Sequence, residues 1–114
     1  MRATSEAVLL RIFVGDEDRY GGRRLYEAIV ARALESHMAG ATVLLSVGGF
    51  GRSRHIHTGL NIDAGINLPV VVEIVDRPDA IDQFLPELDD MVDSGLVSLE
   101  RVRTIHYSDR EHRP

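Results

Sequence analysis

Pro69-Val70-Val71-Val72-Glu73-Ile74-Val75-Asp76 is the densest β-branched run in the chain, and Arg77-Pro78 follows it. The run is β-branched and apolar on both side-chain parities, which reads as a central strand. Downstream, Ile81, Phe84, Leu85, Leu88 and Val92 recur at helical spacing and form one apolar stripe. Pro78 suits the first position of that helix and Asp76 is placed to cap it. Gly95 ends it, and Leu99 to Tyr107 reads as a further strand. This half of the chain is therefore a β-α-β unit.

The same unit is legible upstream. Val8-Leu9-Leu10-Arg11-Ile12-Phe13-Val14 is again apolar on both parities, and Gly15-Asp16-Glu17-Asp18 ends it. Tyr26, Ile29, Val30, Ala33 and Leu34 make a second helical stripe, with Glu27, Arg32 and Glu35 on the wet face. His37-Met38-Ala39-Gly40 closes that helix, with Gly40 suited to the residue just past its end. Ala41, Val43, Leu45 and Val47 then alternate with Thr42, Leu44 and Ser46, as a strand requires. The order β-α-β, long loop, β-α-β predicts an α+β ferredoxin-like βαββαβ sandwich. Its four-stranded antiparallel sheet would carry both helices on one face. Leu9, Phe13, Leu44, Val71 and Val75 would lie on the other face, so oligomerisation is expected to cover them.

The chain of 114 residues has room for one domain, with its core over about 7–107, a long loop at 48–67 and a polar tail at 108–114. It contains no cysteine, which excludes disulfides, thiolate metal sites and a Cys nucleophile. Its net charge of −5 argues against a nucleic-acid partner held by general electrostatics. All thirteen basic residues are arginine. With no lysine, a bound phosphate would rest on arginine forks, histidine and backbone N–H groups. Leu68–Val72 is far too short to span a bilayer, and the start of the chain does not read as a signal peptide. A cytoplasmic location is the simplest expectation. No nucleophile, base and orienting group stand in a recognisable pattern, so no enzymatic activity is expected.

Several segments in order resemble one family. They are Tyr20-Gly21-Gly22-Arg23-Arg24-Leu25-Tyr26-Glu27-Ala28-Ile29-Val30, Ala39-Gly40-Ala41-Thr42-Val43, Gly49-Phe50-Gly51, His55-Ile56-His57 and Leu68 through Asp76. Together they are similar to an uncharacterised PII-like family, domain of unknown function 190, over about residues 7–107. The resemblance implies a homotrimer with clefts between subunits and a regulatory role. Some members are linked to fluoride-export membrane proteins, so the implied partner is a membrane transporter or ion exporter. Gly49-Phe50-Gly51-Arg52 is similar to the segment that starts the mobile loop of PII nitrogen-regulatory signalling proteins and contributes to their nucleotide cleft. Two features depart from those proteins. The segment from Phe50 to Asn67 has no tyrosine to accept uridylylation, and only Ser94-Gly95-Leu96 stands where a glycine-lysine phosphate loop would be.

The candidate ligand site follows from the loop. Gly48, Gly49 and Gly51 permit close backbone approach, and successive N–H groups in such a turn can cup an anion. Arg52 and Arg54 supply bidentate forks to a phosphate or carboxylate. Phe50 and Tyr20 offer aromatic faces. His55 and His57 complete the set, and if the stretch is extended their imidazoles share one side. An adenine nucleotide is the favoured small anionic ligand, with no cofactor required. The alternative is a metal-binding trimer of the divalent-cation-tolerance type, with His55 and His57 as ligands, or an accessory subunit without ligand control. The carboxylates of Asp16, Glu17 and Asp18 are expected in a solvated turn. Arg101 and Arg103 share one face of the last strand and are expected to pair with carboxylates.

Overall fold

A computed structural model describes residues 2–50, 57–58 and 67–108, with 57–58 given as backbone only. Eight strands and two helices follow in chain order: β1 (Arg2–Gly15), β2 (Arg19–Tyr20), β3 (Arg23–Arg24), α1 (Leu25–Glu35), β4 (Thr42–Leu45), β5 (Gly48–Gly49), β6 (His57–Thr58), β7 (Pro69–Asp76), α2 (Pro78–Met91) and β8 (Leu96–Tyr107). The main sheet runs β4-β7-β1-β8 and every pairing in it is antiparallel. With both helices on one face, this is the expected ferredoxin-like α+β sandwich.

β1 and β7 are the two central strands, as their apolar density on both parities predicts. Leu10, Ile12 and Val14 of β1 and Val70, Val72 and Ile74 of β7 are buried beneath the helices. Ile29 and Ala33 of α1 and Ile81, Phe84 and Leu88 of α2 close the core from above. Fully burying one such side chain contributes about 1.5–3 kcal/mol, so this cluster is the main source of stability. Arg32 of α1 donates to Glu87 of α2 and ties the helices together at their outer edge. That bond leads the effects that hold the Arg32 guanidinium above its usual pKa, and the neighbouring Tyr20 hydroxyl adds to it.

Local details differ from the sequence reading, each for a physical reason. α1 ends at Glu35, and His37, with φ +59°, takes the left-handed position expected of Gly40. The buried stripe of α1 is Leu25, Ala28, Ile29 and Ala33, whereas Leu34 is 78% exposed. Periodicity located the helix but left its rotation to the packing. Asp76 does not cap α2, since Arg77 occupies the cap position. The Asp76 carboxylate instead accepts the Ala39 amide at 2.8 Å and the Arg77 amide at 2.7 Å, linking the segment after α1 to the end of β7.

β1 and β8 are longer than expected. Arg2–Ala7 pair only with Val102–Tyr107, beyond the end of β7, and form a two-stranded ribbon. No helix among the described residues is long and apolar enough to cross a membrane. The face opposite the helices is open, as predicted. Leu44 is 48% and Val75 40% exposed, while Leu9, Phe13 and Val71 are half-buried.

Candidate functional site

The two flanks of the long loop meet at one end of the sheet. Gly15, the last residue of β1, is in register with Pro69, the first of β7. The chain arriving at β7 therefore passes directly beside the turn that follows β1. The Asp16 amide donates to the Leu68 carbonyl at 2.7 Å. The Asn67 side chain then fills the turn. Its Oδ1 accepts the Glu17 amide at 2.6 Å, and its Nδ2 donates to Asp18 Oδ1 at 2.8 Å. Asp18 Oδ2 accepts the Gly15 amide at 2.8 Å, and the Asp18 carbonyl accepts the first amide of α1, that of Leu25, at 2.7 Å. Arg24 bonds Asp16 and lies 3.4 Å from Glu17. The field of Asp16, then that of Glu17, raises the pKa of this guanidinium. The acidic turn is thus a clamp on the loop's C-terminal root, and its carboxylates are engaged in bonds within the protein.

A cleft of about 760 Å³ opens against this clamp. Its floor is the end of β1, with Phe13, Val14 and Gly15. One wall is made by Phe50 and Asn67, from the two flanks of the loop, together with Pro69 and Asp18. The other wall is Ser94, Gly95 and Leu96, the turn between α2 and β8. That turn lies close to β1 because residue 95 is glycine: an added Cβ would stand 2.8 Å from the Phe13 carbonyl oxygen and 3.3 Å from Val92. At Gly15 a methyl would overlap the Asn67 carboxamide, a side chain that would have to leave the turn to make room. The volume lies within the usual range for small-molecule sites. Phe13, Phe50 and Leu96 supply apolar surface, and Asp18 and Asn67 place polar atoms beside it. Such a lining suits a flat, partly polar ring.

The residues expected from sequence divide into three groups. Gly48 and Gly49 form β5 and pair with Thr58 and His57 of β6, and Gly49 has φ +138°, a region that disfavours residues with a Cβ. Phe50 follows directly, 64% exposed and on the cleft wall. Gly51, Arg52, Arg54 and His55 lie outside the described residues, and His57 is described only as backbone. Tyr20 stands elsewhere. It belongs to a tight β2–β3 hairpin turned by Gly21 (φ +59°) and Gly22 (φ +84°), and its hydroxyl bonds Asp90 of α2 at 3.1 Å. Its ring packs against the core. Phe13, Asn67 and the 94–96 turn were not singled out as site residues from the sequence. The available signals were the glycines at the two strand junctions and the polar residue directly before Leu68-Pro69.

A second, smaller cleft of about 420 Å³ lies at the opposite end of β7, between His37, Asp76, Arg77 and Phe84. Both of its Asp76 oxygens are already engaged by backbone amides. Among the described residues no group of three or more His, Asp or Glu is placed to hold a metal ion.

The model of the family DUF190, described as "Uncharacterized ACR", matches residues 7–104. A UPF0166 protein of Aquifex aeolicus is 36% identical over 98 residues, covering 86% of this chain and 92% of that one. A UPF0166 protein of Methanocaldococcus jannaschii is 29% identical over 93 residues, covering 81% and 85%. Among solved structures, CPII, a nitrogen regulatory PII-like protein from Thiomonas intermedia K12 bound to ADP, AMP and bicarbonate, superposes with a TM-score of 0.59. It has 12% sequence identity, with 90% of this chain and 91% of that chain covered. The divalent ion tolerance protein CutA1 of Ehrlichia chaffeensis superposes with a TM-score of 0.56 at 10% identity, covering 92% and 86%. Identities that low establish the shared fold alone. The sequence matches go further: this chain belongs to the uncharacterised DUF190 (UPF0166) family, built on a PII-like fold.

Proposed function

We propose that this protein is a PII-like regulatory protein, without enzymatic activity, that binds an adenine nucleotide at the cleft between Phe13, Phe50, Asn67 and the 94–96 turn. The observation that carries this reading is that both flanks of the 48–67 loop wall the same 760 Å³ cleft. A ligand there touches the loop at each root and can bias its conformation, provided it binds one arrangement better than another. The apolar lining suits the adenine ring, and Arg52 and Arg54 are the cations assigned to the phosphates. CPII, of the same fold, was solved with ADP, AMP and bicarbonate, which favours this ligand class. The open sheet face supports assembly into a homotrimer, whose clefts would be completed between subunits. The loop would then carry the signal to a cytoplasmic surface of a membrane transporter or ion exporter. Divalent-metal binding through His55 and His57 is the competing reading, favoured by the likeness to CutA1.

The test is thermal denaturation with ATP, ADP, AMP, bicarbonate, Zn²⁺ or Cu²⁺. A nucleotide at 100 times its Kd adds about 2.7 kcal/mol, a shift of roughly ten degrees in a domain of this size. The expected result is a shift with one nucleotide that is reduced in Phe50→Ala and in the Arg52→Ala/Arg54→Ala pair. A shift with metal alone, lost in His55→Ala/His57→Ala, would replace the nucleotide reading with the metal one.

A further inference from the structure

The open face of the sheet is ordered in rows. Leu44, Val71, Phe13 and Leu96 are register partners across the four strands and form one apolar row. Two residues along, Thr42, Glu73, Arg11 and Ser98 form a polar row. Two further, Val75 and Leu9 stand beside Glu100. A charged band therefore crosses an otherwise apolar face. At its centre Arg11 Nε donates to Glu73 Oε2 at 2.8 Å, and Nη1 lies 3.5 Å from Glu100 Oε1. The hydrogen bond to Glu73 leads the effects that raise the Arg11 pKa, so the group stays cationic across the ordinary pH range.

We infer that the Arg11–Glu73–Glu100 band is the element that sets the register of self-association, with a second copy of this chain as the occupant of the open face. The inference rests on the self-association stated under Proposed function. Three features point to another copy. The band carries both signs, and Glu100, still 60% exposed and held only by a 3.5 Å contact, has acceptor capacity for another copy's guanidinium. The face continues into the β1–β8 ribbon, and a two-stranded ribbon standing alone is marginally stable in water. The row order also discriminates between dockings. Sliding a second copy by one row sets Arg11 and Glu73 against Phe13 and Val71, where charge is desolvated without a partner. Setting register is the best-attested role of polar groups buried at an otherwise apolar interface.

Sedimentation velocity and native mass spectrometry on the full chain test this. The unmodified protein is expected to give one discrete oligomer. Arg11→Met/Glu73→Leu removes the central ion pair of the band while keeping bulk, leaving Glu100 as its one charge, and is expected to keep native circular dichroism but give several oligomeric species. Arg11→Ala leaves two carboxylates unpaired and is expected to raise the dissociation constant of the oligomer about a hundredfold. It decides the matter if the double variant fails to fold. If both variants retain the original single species with an unchanged dissociation constant, the register role is overturned while self-association stands. If the unmodified protein is monomeric at every concentration, self-association itself fails, and the inference with it.

Discussion

At Gly95 the backbone of the α2–β8 turn passes so close to β1 that a single methyl group would stand 2.8 Å from the Phe13 carbonyl oxygen. The contact is with backbone, which cannot rotate away as a side chain can. Gly95→Ala is therefore expected to destabilise the fold by about 1–3 kcal/mol, read as a lower urea midpoint with unchanged slope. An unaltered midpoint would mean that the turn has room to shift. In the sequence this glycine reads only as a helix terminator. Its steric role depends on Phe13, a residue far away in the chain, and becomes visible only when both are placed. Asn67 shows the same dependence. Its carboxamide joins Glu17 and Asp18 across fifty residues, and nothing local marks it as part of a clamp.

Among the elements, α2 carries an internal contradiction. Pro86 lies well inside the helix, where it has no N–H to donate and its ring crowds the preceding turn. The element survives because Ile81, Phe84, Leu88 and Met91 are buried on its inner face. Pro86 is exposed, so Pro86→Ala is expected to raise stability by about 1–3 kcal/mol without disturbing the core. A lowered thermal midpoint would show that the proline-shaped backbone is required. β4 illustrates a different limit. Residues 41–47 read as one strand, yet the strand pairs only over Thr42–Leu45, because β7 begins at Pro69, whose carbonyl accepts the Ser46 amide at 3.3 Å just beyond the paired stretch. Strand existence is local, whereas strand length is decided by the partner.

For the whole molecule the main question is what covers the sheet face opposite the helices. Leu44, Val71, Phe13 and Leu96 line up on it in one row across all four strands. Placing a charge in that row should leave the protomer core intact, because the helices bury the opposite parity. Leu44→Glu is expected to shift the protein toward monomers in sedimentation while native circular dichroism is retained. A variant that keeps the assembly of the unmodified protein would place the interface elsewhere.

Much of this architecture was legible before any coordinates. Two strand-helix-strand patterns, each with a dense β-branched strand, permit few topologies, and right-handed crossovers leave the ferredoxin-like arrangement. The open apolar face followed from side-chain parity alone, because the pleat repeats every two residues whatever the neighbours do. Tertiary structure alone decided the site. The cleft is assembled from the end of β1, the two loop flanks and the α2–β8 turn, four segments whose proximity depends on strand register. It also decided the alignment of Arg11 with Glu73, and the rotation of α1 that exposes Leu34 and buries Ala28. Local periodicity reports which residues seek burial. Which of them meet depends on long-range pairing, and no window of sequence contains that.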